Sequence, residues 1–167
     1  MNTGDNTPLS VEYLHPGNFA LVMASGILSI GMGLLGNGLM ADVLFVFTLC
    51  AWLLLLGLSL LRLVRFAPRL REELLNPRLV FSYFTLVAAT DIVGLLLLDR
   101  GHTAMAIACW IIAFGAWCSL LYLAFSVLTF LSHEHNVNIV HGGWLITIVG
   151  TQSLVLLGAR IAPALGQ

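Results

Sequence analysis

His15-Pro16-Gly17-Asn18-Phe19-Ala20-Leu21-Val22-Met23-Ala24-Ser25-Gly26 opens the first long apolar stretch of the chain. Pro16 and Gly17 make a helix-starting turn, since proline is pre-set for the first helical position and has no N–H to leave unsatisfied. Small and hydroxylated residues follow where a lipid-facing helix carries Leu and Ile. A helix of this kind is built to face other helices or a pore.

Composition supports a membrane setting. Apolar residues make up 59% of the 167 and charged residues 9%, with a mean hydropathy of +0.99, whereas a soluble domain carries roughly 25% charged residues. A helix crosses the hydrocarbon core with about 20 apolar residues, and five such spans can be drawn, at about 17–40, 42–64, 79–98, 103–130 and 143–161. Lipid offers no partner to backbone N–H and C=O, so continuous spans of this length are helices. The expected fold is all-α and polytopic. Residues 1–16 form a cytoplasmic segment, 17–162 a single transmembrane domain, and 163–167 an outer-face tail. The net charge of −1 gives no basic face for nucleic acid. Cys50, Cys109 and Cys118 lie inside spans and read as small hydrophobes.

All seven cations are arginines, and Arg62, Arg65, Arg69, Arg71 and Arg78 lie at or between spans two and three. The positive-inside bias makes that loop and the N-terminus cytoplasmic, in a cell inner (plasma) membrane. Arg100 and Arg160 then fall near the outer face. Pro68-Arg69-Leu70-Arg71-Glu72-Glu73-Leu74-Leu75-Asn76-Pro77 reads as a solvated connector whose arginines set topology. The same residues also fit one or two turns of amphipathic surface helix.

Odd and even spans differ. Spans one, three and five each begin with a turn and an aromatic, then carry hydroxyls: Ser25 and Ser29, Thr85 and Thr90, Thr147 and Thr151. This is a weak internal repeat of a helical hairpin. Span two is Leu-rich, and span four carries Trp110, Phe114, Trp117, Tyr122 and Phe125. The even spans are therefore expected to wrap odd spans that line an interior. In span one, Leu21, Ser25, Ser29, Gly33 and Asn37 share one drifting face at four-residue spacing. That face serves tight packing or a pore wall, and both readings stay open. Candidate path residues are Ser25, Ser29, Gly33, Thr85, Thr90, Asp91, Thr147, Thr151 and Gln152. An amide such as Gln152 at mid-membrane needs a partner or water.

Asp91 is the only carboxylate well inside a span. Such residues default to ion-path or proton-relay roles, so Asp91 is the candidate for proton coupling. The alternative is a hydrogen-bonded tie between two helices through a Thr or Gln of a neighbour. His133, Glu134, His135 and His141 cluster in one loop and read as a solvated connector, although a His-x-His could take a metal. No nucleophile elbow, phosphate loop or zinc-protease motif occurs, so no catalytic residue, metal or cofactor is assigned and an enzyme is not expected.

Several segments in order resemble the tellurite-resistance/dicarboxylate transporter (TDT) family, which includes the TehA, malate permease and slow-type anion channel branches. They are His15 to Ile27, Asn76-Pro77 with Phe81-Ser82-Tyr83-Phe84-Thr85, Trp110 with Trp117 and Leu121-Tyr122, and His141-Gly142-Gly143-Trp144-Leu145 leading into Gly150-Thr151-Gln152-Ser153. The resemblance implies hairpins ringed around a pore, odd helices inside, a trimer of protomers, and transport of a small anion such as malate, sulfite or tellurite. That family has ten helices and a gating phenylalanine in a late helix. Five helices correspond to its N-terminal half, so no gate residue is carried over, and a missing C-terminal half or a homo-oligomer is the expected partner besides the bilayer. Two other readings remain: a membrane metal or redox subunit using His133, His135 and His141, and a non-transporting accessory subunit or truncated fragment.

Overall fold

The computed structural model describes residues 16–65, 67–76, 79–131 and 144–165. Among them there is no strand. A 3-10 turn at Pro16–Asn18 leads into α1 (Phe19–Leu34), followed by α2 (Gly38–Arg65) and the short α3 (Ala67–Leu74). A second 3-10 turn at Val80–Tyr83 leads into α4 (Phe84–Asp99), then α5 (Thr103–Leu131) and α6 (Trp144–Leu165). Five helices are long and apolar enough to cross a membrane.

The first span ends earlier than the sequence suggested. Leu34 is the last residue of α1, and Asn37, expected on its packing face, lies in the turn. Gly36 adopts φ 80°, a conformation that costs a residue with a Cβ about 1–2 kcal/mol. The Asn37 N–H reaches Met32 O at 3.0 Å and the Gly36 N–H reaches Gly33 O at 3.1 Å, so a Schellman motif closes α1. Asn37 Oδ1 then accepts from the Met40 N–H at 3.3 Å, capping α2. The same device ends α4. Gly101 has φ 83°, and the N–H groups of His102 and Gly101 reach Leu97 O and Leu98 O, each at 2.9 Å. Phe19 and Phe84, Leu34 and Asp99, Gly36 and Gly101, Gly38 and Thr103 are each 65 positions apart. The hairpin α1–α2 is thus repeated as α4–α5, and the repeat read weakly from the sequence is geometric.

The connector between spans two and three is helical at Ala67–Leu74, in place of the solvated loop preferred from sequence. Leu70 and Leu74 lie four apart, on one face, and both turn toward an apolar cavity. Glu73 pins the helix down. Its carboxylate accepts from the Arg62 guanidinium and, at 2.9 Å, from the Tyr83 hydroxyl.

Within the described residues α4 is the centre. It packs on α1, α5 and α6, with α2 touching it more lightly. The third span is by far the most buried of the five, and α2 and α5 present Leu54, Leu60, Ile112 and Phe125 outward. Two glycines allow the close approach. A Cβ on Gly26 of α1 would sit 2.4 Å from Ile92 Cγ2, and one on Gly94 of α4 would sit 2.6 Å from Leu157 Cδ2 and 3.2 Å from Cys109 Cβ. α5 is not wholly a lipid wrapper. Trp110 Nε1 donates to Leu154 O at 3.0 Å and Trp117 Nε1 to Thr151 Oγ1 at 3.1 Å. An indole N–H turned into hydrocarbon has no acceptor, so these two bulky residues face α6.

Candidate functional site

α1, α4 and α6 run in the same direction. Thr85 Oγ1 donates to Pro16 O at 2.8 Å near the arginine-rich end of α1 and α4. Between α4 and α6, Phe84 meets Gly150 at that same end, while Asp99 pairs with Arg160 at the other. α6 repeats α4 at a spacing of 61. Trp52 Nε1 donates to Thr90 Oγ1 at 3.2 Å as Trp117 Nε1 does to Thr151 Oγ1. The two threonines back-bond Leu86 O and Thr147 O, respectively. Ser25, Thr90 and Thr151 are therefore one position on α1, α4 and α6. Each hydroxyl faces α2 or α5, since Ser25 receives a 2.8 Å hydrogen bond from Thr48 Oγ1 of α2.

A groove of about 280 Å³ runs along these three helices. Its walls are Met23 of α1, Ala88 of α4 and Val149 of α6, then one turn further on Ile27, Ile92 and Ser153. Both sets are repeat-equivalent triplets, 65 and 61 positions apart. Gln152 and Leu156 complete the α6 side. The groove is apolar apart from Gln152 and Ser153, and its α1 and α6 edges are held apart by α4.

The other sequence candidates lie around this groove. Ser29 is buried and donates to Ala41 O at 2.7 Å, tying α1 to α2. Gly33 lines a separate cleft with Ser29, Asp42, Asp99 and Arg100. Thr85 is buried and also donates to Ser82 O. Thr147 Oγ1 is buried with no hydrogen-bond partner among the described residues. Gln152 is exposed.

Asp91 is fully buried. Its Oδ2 accepts from Ser153 Oγ at 2.8 Å, and its Oδ1 has no partner among the described residues. It ties α4 to α6 through a serine, where a Thr or Gln was expected. Ser153 was not singled out from sequence. The available signal was its place one turn from Gly150 and Leu157, on the α6 face that meets α4. Thr48 and Trp52 were missed for another reason, because a Leu-rich helix gives no sign of which of its faces is turned inward.

At the end opposite the arginine-rich one, two ion pairs clasp the helices. Arg100 Nη2 donates to Asp42 Oδ1 at 2.8 Å, and the guanidinium carbon Cζ sits 3.7 Å over the Phe45 ring centre. Arg160 Nη2 donates to Asp99 Oδ1 at 2.5 Å. Among the described residues no group of three His, Cys, Asp or Glu could hold a metal. His133, Glu134, His135 and His141 lie outside the described residues.

A family model described as a voltage-dependent anion channel matches residues 13–167. No curated protein and no solved structure matches the chain.

Proposed function

The chain belongs to the voltage-dependent anion channel family, a family of channels and transporters, and from that premise we propose that it conducts a small anion along the groove walled by α1, α4 and α6. The observation that carries this reading is the pair of repeat-equivalent triplets, Met23, Ala88 and Val149 with Ile27, Ile92 and Ser153. A path between like helices in a quasi-symmetric ring is bordered by like positions.

The substrate class is a four-carbon dicarboxylate such as malate, or a compact inorganic anion such as sulfite or tellurite. Walls of this kind bind weakly and select by size and ease of dehydration, with Gln152 and Ser153 as the polar contacts. Three parallel helices also bring their N-terminal, partly positive ends to one side of the membrane, where the arginines add to the attraction. Further helices close the open side of the groove, from a longer chain or from neighbouring copies in a trimer. The arginine-rich end faces the cytoplasm of a plasma membrane. Asp91, reached from the groove through Ser153, is the proton-coupling group.

Cysteine accessibility tests the path. Met23→Cys, Ile27→Cys and Gln152→Cys, in reconstituted vesicles and on a background with the three native cysteines replaced, should each let a charged methanethiosulfonate reagent block anion efflux. Ile112→Cys, on the outer face of α5, should not. Labelling at all three groove positions with unaltered efflux would reject this groove as the path.

A further inference from the structure

A second cavity, of about 320 Å³, opens on the opposite side of α4, between α2 and α5. We propose that it holds one acyl chain of an anionic phospholipid from the leaflet at the arginine-rich end, with the headgroup at Arg65 on the α2–α3 corner. The site is independent of the anion path.

Its walls are two facing stripes. Leu56, Leu60 and Leu63 come from α2, and Ala116, Leu120 and Leu123 from α5. Each stripe spans eight residues, about 10 Å of helix, which is most of the depth of one leaflet of a core about 30 Å thick. Leu70 and Leu74 of α3 close one end. The volume lies at the lower end of the roughly 300–1,000 Å³ typical of small-molecule sites. A water cluster is the wrong occupant, because ordered water needs two to four polar partners and these walls are almost wholly hydrocarbon. α2 and α5 make no extended contact with each other, so the cavity stands open to the membrane as a slot between them.

Charge selects the headgroup. Residues 62–78 carry Arg62, Arg65, Arg69, Arg71 and Arg78 against Glu72 and Glu73. Glu73 is engaged by Arg62 and Tyr83 at the rim of the cavity. Arg65, in the last turn of α2, is exposed one turn beyond Arg62. The helix α3 therefore lies as an interfacial helix, with Leu70 and Leu74 over the cavity and the exposed Arg65 next to its start where phosphate sits. Basic residues at a membrane surface attract anionic lipid.

The test is lipid retention measured on the intact detergent-purified protein by native mass spectrometry. Phosphatidylglycerol and phosphatidylcholine with identical acyl chains are offered at equal concentration. One phosphatidylglycerol should be retained with at least about fivefold preference, the order expected for one basic residue engaged at a membrane surface. Arg65→Gln should reduce that preference. Ser119→Trp, which places an indole at the cavity mouth from an exposed wall position, should remove the bound lipid with either headgroup while leaving the melting temperature close to that of the parent. Equal retention of the two lipids would mean annular solvation only and would overturn the proposal. So would one phosphatidylglycerol still bound to folded Ser119→Trp.

Discussion

Ser153 donates a 2.8 Å hydrogen bond to Asp91 Oδ2 at the point where Gly26 meets Ile92 one repeat earlier. Gly26 and Asp91 are 65 positions apart, and Ile92 and Ser153 are 61 apart, so the two contacts are the same interface made twice. In the first the contact is steric and dry. In the second it is polar and connects a fully buried carboxylate to a residue that lines the groove.

Removing the donor strands the acceptor. Ser153→Ala should destabilise the folded protein by about 1–3 kcal/mol, the cost of an unsatisfied buried group, seen as a lower melting temperature in detergent. Asp91→Asn keeps an acceptor for Ser153 and should cost less. In vesicles an imposed pH gradient should accelerate anion uptake by the parent and not by Asp91→Asn. Equal acceleration in both would remove Asp91 from proton coupling while leaving its role as a helix tie.

Close packing makes Gly94 sensitive for a reason unrelated to backbone freedom. At Gly94 a methyl group meets Leu157, which is fully buried, and the Cβ of Cys109, which cannot rotate away. Gly94→Ala should cost about 1–3 kcal/mol through overpacking. Gly57→Ala, in open space on α2, should be neutral or slightly stabilising by helix propensity. Comparable melting temperatures for the two variants would show that α4 and α6 are not in this contact.

The hairpin turns give a matched pair. Gly36 and Gly101 hold the same left-handed conformation in the same motif, and neither has neighbours that a Cβ would strike. Alanine at either should therefore cost only the conformational penalty, about 1–2 kcal/mol, and the two costs should agree within about 0.5 kcal/mol. Chemical denaturation of the two variants in mixed micelles checks this. A large difference would break the equivalence of the hairpins.

The five spans were readable because lipid leaves the backbone no other option. The hairpin turns were less so. Leu34-Leu35-Gly36-Asn37-Gly38 continues an apolar run, and hydropathy averaged over a span does not register a single glycine at positive φ. The hydroxyls at positions 25, 90 and 151 were visible as a pattern, but a periodicity identifies a face and not its neighbour. Their partners Thr48, Trp52 and Trp117 sit in helices whose composition resembles plain lipid-facing surface. The groove was hidden for a related cause. Most of its lining residues, such as Met23, Ile27, Ala88 and Val149, carry no chemical signature, and only their equivalence across three helices sets them apart.

The Asp99–Arg160 pair gives the last prediction. Arg160 lies two turns beyond Gln152 and one beyond Leu156 on the same face of α6, so the pair stands at the end of the groove. Both side chains are well exposed, at 37% for Asp99 and 58% for Arg160. A pair this open contributes little to stability, and Arg160→Gln should leave the melting temperature nearly unchanged. Its effect should appear in flux. With Arg160 removed, Asp99 is a free negative charge at the mouth, and anion entry from that side should slow at low ionic strength. The deficit should shrink as salt approaches about 0.15 M, where the Debye length is about 8 Å. Asp99→Asn should do the reverse. Flux measured at two salt concentrations for both variants decides the matter. Parallel, salt-independent losses in the two would make the pair a structural clasp between α4 and α6 with no influence on the path.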